Sequence, residues 1–214
     1  MTAIPEKAGR GRRRYTEDET RNVINQCLDA AVACFKERGI AATRMDDVAV
    51  QAGMARSKLY RYFRNRDELV ISVVEREALS MVGEILPALD RYRNAQNRLV
   101  EGMLMALERI SASPALSSIV NPRSASAHQV ILTTDQLIKI GVDAAQPTIA
   151  QALRDGVLRK NLDMQQVSDW ILRILISLLT VPSEATATVA KKRSMLKHML
   201  IPAIFETDAV AGKA

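Results

Sequence analysis

Apolar positions recur at helical spacing along most of the chain, with little strict alternation. Ile24, Cys27, Leu28, Ala31, Cys34 and Phe35 mark one face of a first helix. Thr16 and Glu19 ahead of it have capping-box spacing, and Gly39 behind it predicts a left-handed C-cap. Thr43 is expected to cap a short helix over residues 45–51, with Asp46 favouring the positive end of the helix dipole. Met45, Val48, Ala49 and Ala52 line one side of that helix, and Gly53 supplies a tight turn. A third short helix is expected over residues 56–62. Asn65 and Glu68 repeat the capping-box spacing and open a long helix through Leu69, Val70, Val73 and Val74 toward Leu86, bent or interrupted at Pro87.

The second half keeps the same helical spacing. Leu99, Met103, Ala106, Leu107 and Ile110 predict a helix that breaks at Ser113 and Pro114. A long helix or broken pair is expected over residues 125–154, then a loop around Gly156 and residues 159–161. Asp163 and Gln166 would cap a helix with Val167, Trp170, Ile171, Ile174, Leu175, Leu178 and Leu179 in register. Leu172 and Ile176 make this helix apolar almost all round, so it must be covered on more than one side. A final helix offers Val189, Leu196, Met199, Leu200, Ala203 and Ile204, with Pro202 bending its end. Residues 1–14 mix Pro, Gly and Arg without apolar periodicity and predict a disordered basic arm; residues 207–214 predict a flexible tail. The expected fold is all-α, with a three-helix unit over residues 15–66 and a larger helical unit over residues 67–206.

Composition sharpens this picture. Aromatic residues are only 4% of the chain, while small and aliphatic helix formers abound. Of the formal net charge of +6, residues 1–70 carry +4, from 14 Lys and Arg against 10 Asp and Glu, which places the excess near the N-terminus and suits a polyanionic partner. Cys27 and Cys34, seven residues apart among apolar positions, read as reduced packing thiols of a cytoplasmic protein. With only His128 and His198 to add, no metal site is expected. The basic N-terminus lacks a following apolar run, so no secretory signal is expected. The greasiest stretch, residues 170–181, contains Arg173 and is too short to span a bilayer.

The run over residues 43–63 places two short helices around a glycine turn, as a helix-turn-helix requires. Val48, Ala49, Ala52, Leu59 and Phe63 would hold the two helices together. Arg56, Lys58, Arg61 and Arg64 are left outward, and Arg66 follows. Residues 53–66 thus carry five basic side chains and no acidic one, as expected of a surface laid against phosphates. A charge run alone is usually a solvated helix face; here its position on the second helix after the turn favours DNA.

Residues 20–70 resemble the N-terminal domain of the tetracycline-repressor (TetR) family. The likeness rests on residues 35–39 (FKERG), Thr43, Val48 with Ala49, Ala52 with Gly53, Leu59 with Tyr60, Tyr62 with Phe63, and residues 65–69 (NRDEL). It implies a homodimer of helical subunits that binds double-stranded operator DNA and leaves it when a small molecule enters the C-terminal domain. By position, the resemblance assigns Tyr60 and Arg66 to phosphates and Thr43 to a cap that also meets the backbone. It puts Arg56, Ser57, Lys58 and Tyr62 on the recognition helix, with Arg44 and Arg61 also within reach of DNA. Ala55 departs from the family, which often has a capping Ser there. Arg56 and Lys58 would read guanine edges or else meet only phosphates, and Tyr60 could instead pack inward. Arg10, Arg12, Arg13 and Arg14 would enter an adjacent minor groove or simply add nonspecific attraction.

For the second domain, Met103, Leu104, Leu107, Ile131, Leu132, Leu137, Trp170 and Ile174 are candidates to line an effector cavity, although each would serve equally as core. Scarce aromatics argue against an organic-cation cage and point to a small lipophilic effector, fatty acyl or sterol-like. Ile171, Leu175, Leu178, Leu179, Leu196, Met199, Leu200 and Ala203 are candidates for a four-helix dimer interface. The rival reading is a ligand-independent or architectural DNA-binding protein, which would have a filled second core. No catalytic triad order, phosphate loop or dinucleotide glycine motif appears, so neither an enzyme nor a cofactor is expected.

Overall fold

The computed structural model describes residues 16–117, 135–181 and 183–206, excluding the side chains of residues 135–138. The arginines of the arm, Ile131, Leu132, the side chain of Leu137 and the tail from residue 207 lie outside the described residues. The first helix, α1 (Glu17–Arg38), begins at a reciprocal cap: Thr16 Oγ1 accepts the Glu19 amide at 3.2 Å, and Glu19 Oε2 accepts the Thr16 amide at 2.9 Å. At its other end Gly39 has φ +79° and ψ 157°, an extended exit rather than the expected left-handed cap. The positive φ still favours glycine, and the extended ψ carries the chain away from the helix axis.

Thr43 does not cap the next helix. Its buried hydroxyl turns back to donate to Gly39 O at 2.8 Å, and the first turn of α2 (Met45–Gln51) is closed by Asp47 Oδ2, which accepts the Arg44 amide at 2.9 Å. After Gly53, at φ +62°, α3 (Arg56–Leu59) is shorter than expected and relaxes into turns, with the Phe63 amide still donating to Leu59 O at 3.1 Å. Asn65 Oδ1 then caps α4 (Arg66–Ala88) by accepting the Glu68 amide at 2.8 Å. The Glu68 carboxylate takes the Arg64 amide at 2.7 Å, one residue earlier than a capping box would require. Pro87 falls in the last turn, so α4 runs through it into the 3-10 turn Leu89–Arg91.

Beyond that turn come α5 (Ala95–Ala112), the short α6 (Pro114–Ser117) and α7 (Asp135–Arg154). Asp163 Oδ1 caps α8 (Met164–Thr180) by accepting the amides of Gln165 and Gln166. The final segment is α9 (Val189–Met195), a π turn (Leu196–Leu200) and α10 (Ile201–Ile204). The π turn stands just ahead of Pro202, where the Ile201 amide reaches Leu196 O; a widened turn relieves the clash a proline ring makes with the carbonyl four residues back. The end of α10 and the stretch just after it are tied down by the Arg159 amide on Ile204 O at 3.0 Å and the Glu206 amide on Val157 O at 2.8 Å.

Two apolar clusters result. The first holds Cys27, Val48, Leu59, Phe63 and the α4 residues Leu69, Val70, Val73 and Val74, and it takes in Leu116 of α6 and Ile140 of α7. It therefore extends past residue 66, because half of α4 packs against α1. The second gathers Val100, Leu104 and Leu107 of α5 with Val167 and Ile171 of α8 and Leu196, Leu200 and Ile204 of the final segment. Leu116 and Ile140 couple the second half of the chain to the first core.

Candidate nucleic-acid interface and effector cavity

The short helices α2 and α3 are held by burial and by polar ties from α1. Leu59 and Val48 are wholly buried between them. Gln26 Nε2 donates to Ala52 O at 2.7 Å, and Arg38 Nη1 meets Asp47 Oδ1 at 3.0 Å, so both ends of α2 are fastened to α1. Neither tie was evident in the sequence, because each joins residues that share no motif. Cys27 and Cys34 are buried and unbonded to each other; burial pushes both thiols up, so they remain neutral packing groups. Cys27 Sγ lies 3.5 Å from Met54 Sδ beneath the turn.

With that framework rigid, Arg44, Arg56, Ser57, Tyr60 and Arg61 are exposed on one end of the molecule, while Lys58 and Tyr62 are half-buried. α3 has no side-chain cap at Ala55, so its first amides stay open to an outside acceptor. Arg56 is held by Asp46 through Nε to Oδ1 at 2.9 Å and Nη1 to Oδ2 at 3.0 Å. Its guanidinium also lies 5.3 Å from the Tyr60 ring centroid and 3.4 Å from the Tyr60 hydroxyl, so Tyr60 does not pack inward. The hydroxyl bond, then the Asp46 charge, hold Arg56 protonated.

Arg66, expected at a phosphate, is half-buried and bonds within the protein. Its Nε donates to Thr43 O at 3.0 Å and its Nη2 donates to Ile40 O, clasping the loop between α1 and α2. A cation in the first turn of a helix is disfavoured by the dipole, so this clasp supplies a structural reason for an arginine there.

A cavity of about 710 Å³ lies between α4, α5, α7 and α8. Its wall is mainly aliphatic, from Met81, Ile85, Leu99 and Met103 to Leu172 and Ile176, with Leu116 of α6 on one side. Of the expected lining residues, Met103 is in this wall. Leu104 and Leu107 turn into the second core, Ile174 packs on that core, and Trp170 stands 40% exposed, because the rotation of α5 and α8 decides which stripe meets the void. Ile171, Leu175 and Leu179, expected at a dimer interface, line the cavity in the single subunit. Leu196 and Leu200 are core within the subunit, and Leu178 and Ala203 are half-buried, whereas Met199 is 71% exposed. The polar residues in the wall include Arg98, Thr148 and the pair Asp169 and Arg173.

Elsewhere, Glu101 receives two bonds from Arg193, at 2.7 and 2.9 Å, which tie α5 to α9. That arginine holds the Glu101 carboxyl below its ordinary range. Among the described residues no group of metal-ligating side chains occurs, and no helix is long and apolar enough to cross a membrane.

Residues 28–73 match the model of bacterial regulatory proteins, tetR family. An uncharacterized HTH-type transcriptional regulator of Mycobacterium tuberculosis is 26% identical over 200 residues, covering 91% of this chain and 92% of its own. The HTH-type transcriptional repressor KstR2 of the same species is 28% identical over 153 residues, or 68% and 74% of the two chains. In fold, the chain is similar to the transcriptional regulator FadR from Bacillus subtilis, solved in complex with stearoyl-CoA, with a TM-score of 0.62 and 17% identity over 81% of this chain and 97% of that one.

Proposed function

Because residues 28–73 match the model of bacterial regulatory proteins, tetR family, we propose that the chain is a ligand-responsive repressor of that family, acting in the bacterial cytoplasm as a homodimer on a palindromic operator. The observation that carries this reading is the 710 Å³ cavity whose wall residue Leu116 also belongs to the core beneath the DNA-facing helices. A ligand that displaces Leu116 also disturbs the packing of α1 and α4, and so the placement of α3. The mainly aliphatic wall suits a lipophilic effector, and the acyl ligand of FadR is consistent with that class. At the DNA, Lys58 and Arg56 read base edges, Arg56 after leaving Asp46. Arg44, Ser57, Tyr60, Arg61 and Tyr62 position the protein on the backbone, and the arm with Arg10, Arg12, Arg13 and Arg14 adds electrostatic attraction. A second copy covers exposed Met199, together with Trp170 and Ala203, and sets two recognition helices on successive turns of the duplex.

The test is selection of genomic fragments by the purified protein, followed by fluorescence anisotropy on the selected duplex with and without lipophilic compounds. A palindromic site released by at least one compound is expected. A protein that binds all duplexes alike, or that no cavity-filling compound displaces, would instead be a ligand-independent or architectural DNA-binding protein. The cavity speaks against that alternative, since such a protein would fill this space with side chains.

A further inference from the structure

The cavity wall is apolar except at a few places, and one of those carries a cation that is only partly satisfied among the described residues. Arg98, in the first turn of α5, is 12% exposed, and its Nε has no hydrogen-bond partner among the described residues. Its Nη1 donates to Leu89 O at 3.1 Å and reaches Asp90 Oδ1 at 3.2 Å. Asp90 is 76% exposed, so its hold on the guanidinium is screened by solvent. Burying a charged donor without an acceptor is unfavourable, and a guanidinium in an aliphatic wall whose carboxylate partner lies out in solvent favours a further anion. The wall also holds an uncharged polar group on α7. Gln151 Nε2 of α7 donates to Arg93 O at 2.5 Å, which draws the helix toward the start of α5, and Thr148, one turn earlier on α7, is buried in the wall.

The remaining ionic pair in the wall does not compete. Arg173 Nε lies 2.6 Å from Asp169 Oδ2, and the two side chains are 72% and 48% exposed, so that pair is already neutral and open to water. We infer that the effector is a single-chain amphipathic acid whose carboxylate pairs with Arg98 beside Thr148 while its aliphatic chain fills the space between α4, α5, α7 and α8. This rests on the cavity being the effector site.

The test is calorimetric titration of the full chain with dodecanoate, methyl dodecanoate and dodecylammonium, which share one chain and differ in head charge. Dodecanoate should bind at least about tenfold more tightly than the other two, the difference a charge-assisted hydrogen bond supplies. Arg98→Met should erase that preference while leaving the ester within about threefold of its wild-type affinity, since only the charged contact is lost. Arg173→Met should preserve the preference. Asp90→Asn, which frees the guanidinium without removing it, should strengthen dodecanoate relative to the ester, and this arm decides the matter if Arg98→Met fails to fold. Equal binding of acid and ester, a preference that survives Arg98→Met, or an unchanged ratio in Asp90→Asn overturns the carboxylate assignment and leaves the effector cavity standing. If none of the three probes binds, the cavity reading itself fails.

Discussion

Replacing Arg66 separates a structural clasp from a DNA contact. In Arg66→Ala, Thr43 O loses the donor that lay 3.0 Å away, and Ile40 O loses one of its two donors but keeps the Thr43 amide at 3.3 Å. One carbonyl is thus stripped of its charged partner and a second is weakened. A hydrogen bond to a charged group contributes about 1.5–3 kcal/mol, and the second loss adds less because a partner remains. Removing a cation from the first turn of α4 returns about 0.3–1 kcal/mol through the helix dipole. The expected net loss is about 2 kcal/mol, localised at the loop that sets α2 against α1. Urea unfolding followed by circular dichroism reads it as a lower midpoint with unchanged slope. Arg66→Lys should lose nearly as much, because an ammonium cannot span the two carbonyls as the guanidinium fork does. DNA affinity should fall in both variants through misplacement of α3, with little change in salt dependence. If Arg66→Ala instead keeps the wild-type midpoint while the salt slope of DNA binding drops by about one, Arg66 is a phosphate contact and the clasp is incidental.

Asp46→Asn should raise DNA affinity several-fold at low salt, since it releases Arg56 and removes a like charge facing phosphates; anisotropy titrations over a salt series would show it. Glu101→Gln should lower stability at neutral pH and flatten the acid limb of the stability curve. The folded-state carboxyl is depressed by Arg193, so the pair's contribution is fully present above the unfolded carboxyl pKa of about 4.3 and is lost as pH falls through the folded value. Thermal melts at stepped pH would detect any persistence of the wild-type acid limb in the variant. Met199→Glu should give folded monomers with weak operator binding by sedimentation, whereas a dimeric variant would place the two-fold interface elsewhere.

Helix starts and the DNA-facing motif were legible in the sequence because they rest on contacts within a few residues. Thr16 with Glu19 and Asp163 with the amides of Gln165 and Gln166 close their turns as their spacing requires. The period of apolar residues also suffices to place Val48, Leu59 and Phe63 inside. Where two local acceptors compete, local reasoning becomes ambiguous: Thr43 turned back to Gly39 and left the cap to Asp47, a choice set by its burial against the first core.

In the second half, the sequence by itself determined that greasy helices must be covered, but not by what. α8 has an apolar stripe too broad for one neighbour, so the pattern alone does not say which of its residues meets the cavity and which the core. Packing against α5 and α7 chose its rotation, turning Ile171, Leu175 and Leu179 to the cavity and leaving Trp170 outside. The same holds for charge. Five cations after the glycine turn were countable from the chain, yet whether each faces solvent, clasps a loop as Arg66 does, or pairs as Arg56 does depends on partners 10 to 26 residues away. Arg98 shows the limit most plainly, since only the assembled walls of a cavity can leave a guanidinium nitrogen buried with no acceptor among the described residues.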